Sequence, residues 1–138
     1  MAEVRKTMSY EHQTPAAYSA VAVQNIWNPV LVATARVRIR NIVFAIATLA
    51  EDLEVRVIRD GITVVCSQAG ATAGTDYRVY IEDTAAAETL VAVSTAPSAF
   101  GGLLSFLLEG KNVAVAIRKT SANGANTLSC LVNYDVLR

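Results

Sequence analysis

The chain has 138 residues, a length that suits one domain able to bury its core without disulfides or metals. Its 12 basic and 12 acidic residues leave a formal net charge of zero, which argues against a nucleic-acid partner, because such proteins carry a basic excess. Hydrophobic residues make up 53% and charged residues 17%, so we expect a partner to cover some apolar surface. The longest strongly apolar run, 42–50, is too short to cross a bilayer, and no secretory signal precedes it, which favours a cytoplasmic protein without a membrane anchor.

The N-terminal part differs in pattern from the remainder. Residues 1–16 are polar and aperiodic, and Tyr18–Val23 is a short β-prone run. Asn28-Pro29 then disfavours helix and favours a turn. We therefore predict an arm with a short strand over residues 1–29 and a β-sandwich domain over residues 30–138.

The first long predicted strand has an interrupted period of two. Charged residues alternate with apolar ones up to Asn41, and over 42–46 the apolar side chains occupy the face that the charged ones had held. Such a phase shift predicts a β-bulge near Asn41. The charged residues before it are Arg36, Arg38 and Arg40.

Leu53–Ser67 carries the clearest local signal. Alternating apolar residues flank Asp60-Gly61, a preferred pair for a two-residue type I′ turn. The predicted cross-strand pairs are Val57 with Val64 and Val55 with Cys66, which keeps all four on one side of the hairpin.

Further strands follow at short spacing. A loop is predicted over 68–76, followed by strands over 77–83 and 89–95 with one helical turn between them over 84–88. A buried strand or turn over 103–108 and a turn over 109–112 come next. The last predicted element is a hairpin with Asn123-Gly124 at its tip, which pairs Ile117 with Cys130 and Val115 with Val132. About eight strands without βαβ alternation predict an all-β fold, a single antiparallel β-sandwich of jelly-roll type with an N-terminal arm.

Residues able to carry chemistry are few. We interpret His12, the only histidine, as an incidental solvated residue, since one histidine builds neither a triad nor a multi-histidine zinc site. Cys66 and Cys130 lie on predicted core faces and are interpreted as buried thiols. The glycine-rich stretch 70–74 lacks the lysine and helix of a phosphate loop. The carboxylates lie at strand ends or on polar faces, where they serve solubility: Asp52, Glu54, Asp76, Glu82, Asp83 and Glu88. We predict no catalytic, cofactor or metal site.

Two groups of residues are candidates for an interface. Arg36, Arg38 and Arg40 would grip acidic groups of a neighbouring subunit, or alternatively form a solvated face paired with acidic residues such as Glu54 or Glu82. The aromatic residues of the N-terminal part are either anchors on a partner or, for Trp27, a cap on the end of the sandwich. These aromatic candidates are Tyr10, Tyr18 and Trp27.

Three stretches together resemble small jelly-roll proteins of bacteriophage and related virions, namely head decoration (cement) proteins and head or tail accessory domains. Ala35–Phe44 is similar to their opening core strand, Glu54–Gly61 to the hairpin that follows, and Leu108–Tyr134 to the closing turn and final hairpin. The resemblance implies a non-enzymatic virion component, often trimeric, that sits on a capsid lattice and stiffens it with an arm reaching a neighbour.

We therefore predict a decoration or cement subunit, located in the virion and assembled in the host cytoplasm. It forms a homo-oligomer, with a trimer favoured, and its partner is a major capsid or tail protein. One alternative is a small jelly-roll capsid subunit. Another is a carbohydrate- or receptor-binding sandwich, which requires exposed aromatic rings such as Tyr77, Tyr80 and Phe100. A hydrolase on a β scaffold is the third, and the single histidine argues against it.

Overall fold

The computed structural model describes residues 8–83, 88–94, 108–122 and 124–138, and the regular structure within these residues is β-strand. Eleven strands follow one another in the described residues: β1 (Tyr10–His12), β2 (Ala16–Val21), β3 (Asn28–Ala33), β4 (Val37–Ile46), β5 (Glu51–Arg59), β6 (Ile62–Ala71), β7 (Tyr77–Asp83), β8 (Glu88–Ser94), β9 (Leu108–Gly110), β10 (Val113–Lys119) and β11 (Thr127–Leu137).

The strands form two antiparallel sheets packed face to face. One sheet has the order β1-β11-β4-β7-β8, with β2 also on β11 and β9 also on β4, and the other has the order β3-β10-β5-β6. The subset β2-β11-β4-β7 opposite β3-β10-β5-β6 is the eight-strand arrangement of a jelly roll. The predicted all-β jelly-roll sandwich is therefore confirmed, and β1, β8 and β9 extend its first sheet.

A bulge in β4 keeps apolar side chains inside along the whole strand. The β4–β11 register passes from Asn41 opposite Asn133 directly to Ile39 opposite Tyr134, which leaves Arg40 as the extra residue. Val37 and Ile39 before the bulge, and 42, 44 and 46 after it, are therefore all buried. The bulge predicted near Asn41 is confirmed.

The β5–β6 hairpin has the predicted register, with Val57 opposite Val64 and Val55 opposite Cys66. Asp60 and Gly61 both have positive φ, 51° and 80°, as a type I′ turn requires.

The predicted loop over 68–76 is wrong at its start, because β6 continues to Ala71. Gly70 takes a φ of 56°, and its N–H donates to Asp52 Oδ1 at 2.7 Å. The ladder thus continues past an irregularity between Glu51 and Leu53 until Ala71 lies opposite Glu51.

The predicted final hairpin is also wrong, because β10 and β11 belong to different sheets. Val115 and Ile117 lie opposite residues of β5, whereas Cys130 and Val132 lie opposite residues of β4. Alternation correctly placed these side chains on the core side, but it carries no information about which strand pairs with which. The chain between β10 and β11 therefore connects two sheets instead of two neighbouring strands of one sheet.

Some sequence predictions lie outside the described residues. They are residues 84–87 of the helical turn predicted over 84–88, whose last residue Glu88 begins β8, the apolar stretch 103–107, the Tyr80 side chain, and the residues Phe100 and Asn123. The division at residue 29 stays a prediction. Within the described part, β1 and β2 both hydrogen-bond to β11.

Buried polar groups hold one end of the sandwich, which we call the loop end, at residues 47–50 and 120–126. Lys119 Nζ lies 3.2 Å from Glu51 Oε1 and donates to the Gly124 carbonyl at 2.7 Å, and both charged side chains are at most 4% exposed. Buried Asn126 donates to the Leu49 carbonyl and accepts from the Thr48 N–H, each at 2.7 Å. The two loops are therefore joined through side chains.

Two turns contact each other at the opposite end, which we call the hairpin end. The Lys111 N–H donates to Asp60 Oδ1 at 2.9 Å, and the Asp60 N–H donates to the Lys111 carbonyl at 3.2 Å. A Cβ on Gly110 would overlap the Arg59 side chain, so only glycine allows this approach.

Candidate functional site

A row of charged residues crosses four strands on the outer face of the larger sheet. The register places His12 of β1 opposite Asp135 of β11, Asp135 opposite Arg38 of β4, and Arg38 opposite Glu109 of β9. Their neighbours along β4 and β11 point inward, so these four residues face outward together. We call them the charged row.

Asp135 is the centre of the charged row. Its Oδ2 accepts hydrogen bonds from Arg38 Nη2 at 3.0 Å, Arg38 Nε at 3.2 Å and Arg40 Nε at 2.8 Å, and its Oδ1 lies 3.1 Å from His12 Nδ1. These side chains cover the carboxylate until only 1% of it is exposed. Burial alone would raise the pKa of Asp135, but hydrogen bonds from Arg38 and His12 and the charge of Arg40 outweigh it, so the pKa is lowered.

Glu109 joins the remaining predicted residues to the charged row. The Tyr10 hydroxyl donates to Glu109 Oε2 at 3.1 Å, and Arg36 Nη2 lies 3.8 Å from the same oxygen. The Tyr10 ring also lies against the Arg38 guanidinium, with 4.3 Å from Cζ to the ring centroid. Tyr10 and the three arginines are thus brought together at one place.

The predicted pairing of the arginines with Glu54 is wrong, and their predicted pairing with Glu82 stays a prediction. Glu54 lies in the smaller sheet and binds Arg118, with 2.6 Å between its Oε1 and Nη2, and the Glu82 side chain lies outside the described residues. His12 is solvated as predicted, at 66% exposure, but it is not incidental, because the β1–β11 register places it beside Asp135. Sequence reasoning missed Asp135, although it is the one charged residue of β11 and stands between Tyr134 and Val136, which was the available signal.

The other two aromatic candidates lie away from the charged row. Trp27 lies against two guanidiniums of the smaller sheet, with Cζ–centroid distances of 4.6 Å for Arg56 and 4.3 Å for Arg118. Tyr18 lies opposite Cys130 and packs half-buried against the core. The structure therefore does not unite Tyr10, Tyr18 and Trp27 in one surface, and an anchoring role for each stays a prediction.

An apolar surface lies on the outer face of the smaller sheet. Val32 of β3 lies opposite Ala114 of β10, Ala114 opposite Ile58 of β5, and Ile58 opposite Thr63 of β6. We call these four residues the apolar row. Val32 is 72% exposed, the largest value among the exposed large hydrophobic residues of the described part. No charged residue stands in this row, although Arg56 and Arg118 lie elsewhere on the same sheet.

Both cysteines are free and buried, as predicted. Burial raises the pKa of Cys66 and of Cys130 to about 12, so neither thiol ionises near neutral pH. Tyr77 contradicts its expected exposure. It is 5% exposed, stacks on Phe44 with 5.7 Å between ring centroids, and accepts the Thr72 N–H at 2.8 Å.

The described carboxylates serve local structure. Asp52 accepts the Gly70 N–H, and Glu54 binds Arg118 and Ser67. In the part of the chain that the structure describes, no group of three or more His, Cys, Asp and Glu residues is placed to hold a metal ion. Nor does a helix of membrane-spanning length and apolarity occur among these residues.

Comparisons with known proteins find only remote likeness. No protein-family model matches the chain, and no curated protein matches it. Three solved structures from infectious bursal disease virus show low structural similarity to it. The structure of the Gx strain has a TM-score of 0.41 and 12% identity over 95% of this chain and 31% of that one.

The virus-derived T=1 particle has a TM-score of 0.32 at 12% identity, covering 94% of this chain and 40% of that one. The T=1 particle of the D431N mutant VP2 protein has 0.27 at 14% identity, covering 91% and 41%. The chain thus spans well under half of the chains it resembles.

Proposed function

We propose that this chain is a non-enzymatic structural subunit of a virion that forms a homo-oligomer on a capsid or tail. In its finer form, the proposal is a decoration or cement protein, trimeric, bound to a major capsid or tail protein and assembled in the host cytoplasm. The observation that carries the proposal is the apolar row, in which Val32 is 72% exposed and Ile58 and Ala114 are partly exposed.

In the apolar row, exposed Val32 adjoins two partly exposed apolar residues. Scattered exposed apolar residues are common, but here Val32, Ala114 and Ile58 lie side by side on three neighbouring strands. Interfaces of permanent assemblies are apolar and poor in charge at their centre. A rigid sheet face of this kind is suited to a lasting contact, because no backbone has to be ordered on binding.

Composition supports the same interpretation. Only 17% of residues are charged and the net charge is zero, so repulsion between copies is weak. Jelly rolls occur in capsid proteins and in lectins alike, so the fold by itself does not choose between them. Tyr77 is buried, which removes one of three rings on which a carbohydrate-binding role would depend.

The test is the solution mass of the full-length protein, measured by light scattering across a wide concentration range, with electron microscopy of the same samples. We expect a discrete oligomer, a trimer in the finer proposal. Val32→Glu places a charge in the apolar row and should reduce the mass. Val23→Glu is the matched control, because Val23 is also largely exposed, at 67%, but lies outside that row.

Different outcomes separate the candidate functions. A trimer that binds capsid lattices but does not close on itself supports a decoration subunit, whereas closed shells of this chain alone support a capsid subunit. A wild-type monomer at every concentration, together with binding to a glycan array, contradicts the proposal and supports the carbohydrate-binding alternative.

A further inference from the structure

Two guanidiniums contact the same indole ring on the outer face of the smaller sheet. Arg118 Cζ lies 4.3 Å and Arg56 Cζ lies 4.6 Å from the centroid of the Trp27 ring, and both distances are within the range of a cation–π contact. Arg56 belongs to β5 and Arg118 to β10, which are neighbouring strands of that sheet. The ring therefore connects two strands through their cationic side chains.

Trp27 is held in place by hydrogen bonds on both sides of it. The Asn25 N–H donates to the Lys119 carbonyl at 2.8 Å, and Asn28 Nδ2 donates to the Ile117 carbonyl at 3.1 Å. Both carbonyls belong to β10, so the segment that carries Trp27 is tied to the strand that carries one of the two arginines. A ring fixed in this way does not have to be ordered when a ligand binds, which favours binding.

Arg118 shows how a guanidinium at this ring holds a carboxylate. Its Nε donates to Glu54 Oε1 at 2.7 Å, and its Nη2 lies 2.6 Å from the same oxygen. At the same time its Cζ keeps the contact with the Trp27 ring. Contact with the ring therefore leaves N–H donors of the guanidinium available to an anion.

Arg56 has the same ring contact without the carboxylate. Within the described part of the chain, no hydrogen bond or ion pair joins its guanidinium to another group. Glu54, two residues before it on β5, is already engaged at both oxygens, because its Oε2 accepts from the Ser67 hydroxyl at 3.2 Å. Arg56 is also partly buried, so its charge is incompletely solvated. Its planar guanidinium suits a carboxylate, which can accept from two N–H groups at once.

Apolar residues border Arg56 on the other sides. Ala116 and Val65 lie opposite it on the two neighbouring strands, and Ile58 of the apolar row is the next outward residue of β5. A carboxylate that reaches Arg56 therefore comes with a surface that also covers apolar side chains. Protein interfaces have this composition, with arginine enriched inside an apolar region, so a protein is the favoured source of the carboxylate.

We propose that Arg56, backed by Trp27, is a binding site for an aspartate or glutamate side chain of a protein partner. The carboxylate takes the place at Arg56 that Glu54 takes at Arg118. The inference rests on the proposed function, because the partner that supplies the carboxylate is the one that covers the apolar row. It adds a chemical requirement to that contact: the partner carries an acidic residue beside its apolar surface.

Trp27 fluorescence tests the site, because Trp27 is the only tryptophan of the chain. The probe is the capped peptide acetyl-Val-Glu-Val-amide, titrated into the full-length protein at constant ionic strength. The matched neutral probe is acetyl-Val-Gln-Val-amide. We expect a saturable change in emission with the glutamate peptide alone. Arg56→Gln should weaken its binding about tenfold or more, since a charge-assisted hydrogen bond is lost. Arg36→Gln, at an exposed arginine of the charged row, is the control and should leave the titration unchanged.

Two further variants test the comparison with Arg118. Glu54→Gln removes the carboxylate that occupies Arg118, so the glutamate peptide should bind more tightly than it binds to the wild type. Arg56→Lys keeps the charge but loses the planar pair of donors, so it should restore only part of the binding lost in Arg56→Gln. Urea unfolding of each variant shows whether it is folded.

Light scattering separates the possible sources of the carboxylate. If a second copy supplies it, Arg56 is filled before the peptide is added, and Arg56→Glu should lower the mass of the oligomer. If another protein supplies it, the mass stays at the wild-type value and the peptide titration depends on Arg56. The proposal is overturned if substitution of Arg56 changes neither the mass nor the titration. A wild-type monomer contradicts the proposed oligomer instead, and the peptide titration still decides whether Arg56 binds a carboxylate.

Discussion

The loop end and the charged row both depend on ionic contacts, but water reaches them differently. Lys119 and Glu51 at the loop end are 4% and 0% exposed. In the charged row only Asp135 is buried, and the side chains of Arg38 and Arg40 are 24% and 49% exposed. A charge left alone at the loop end stays buried, whereas an arginine left alone in the charged row can turn to water. An ion pair at the loop end and one in the charged row should therefore contribute differently to the free energy of unfolding.

Lys119→Met should have the largest effect, a loss of about 3–5 kcal/mol in the free energy of unfolding. The substitution leaves the Glu51 carboxylate buried without its ammonium partner and releases the Gly124 carbonyl. Denaturant unfolding measures the loss. The double variant Glu51→Leu/Lys119→Met should recover most of this loss, because no buried charge remains. If Lys119→Met alone costs under about 1 kcal/mol, the proposed difference between the loop end and the charged row is contradicted.

Asp135→Asn should cost less, about 2–3 kcal/mol at neutral pH. Since the folded-state pKa of Asp135 is lowered, its contribution is present above the unfolded value near 3.9 and is lost as pH falls through the folded pKa. The difference between wild type and variant should therefore shrink below about pH 4. Urea unfolding at several pH values measures it. Glu11→Gln, in an exposed pair with Arg138, is the control and should cost little at any pH.

Gly110→Ala should cost about 1–2 kcal/mol, because its Cβ would overlap Arg59 at the hairpin end. Removing the obstructing side chain in Arg59→Ala/Gly110→Ala should abolish the penalty of the glycine substitution. A double-mutant cycle of unfolding free energies gives this coupling, and additive single effects would show that the contact is not the cause.

Arg36→Ala should have the smallest effect, within about 0.5 kcal/mol. Its guanidinium is 48% exposed and lies 3.8 Å from an exposed carboxylate. Arg38→Ala, two residues along, removes two hydrogen bonds to buried Asp135 and should cost clearly more in the same assay. Equal losses for the two arginines would mean that burial of the partner carboxylate does not decide the strength of the contact.

Local features of the fold were predictable from sequence, and long-range pairing was not. The β5–β6 hairpin and the bulge at Arg40 depend on residues close together in the chain, where turn chemistry and alternation fix the result. The β10–β11 hairpin was wrong because Asn-Gly indicates a turn, while the choice of neighbouring strand depends on residues far away. The described part of the fold therefore matched in class and differed in strand partners.

Prediction of the site was partial for the same reason. The arginines were identified by their spacing on one strand, but their partner Asp135 lies about a hundred residues away and is set by the β4–β11 register. Tyr77 was expected to be exposed, yet its ring stacks on Phe44 of the neighbouring strand. Burial of this kind follows from tertiary packing, and the residue pattern of a single strand does not reveal it.

The position of β11 has a consequence for how the protein is made. Strands β1, β2 and β4 all pair with β11, which follows them by about a hundred residues. During synthesis these strands leave the ribosome long before their shared neighbour exists, so most of the larger sheet must wait for it. Closing such long loops is slow, and apolar strands are exposed meanwhile. The early β5–β6 hairpin can form within its own stretch of chain, so we expect it to be the first structure a nascent chain acquires.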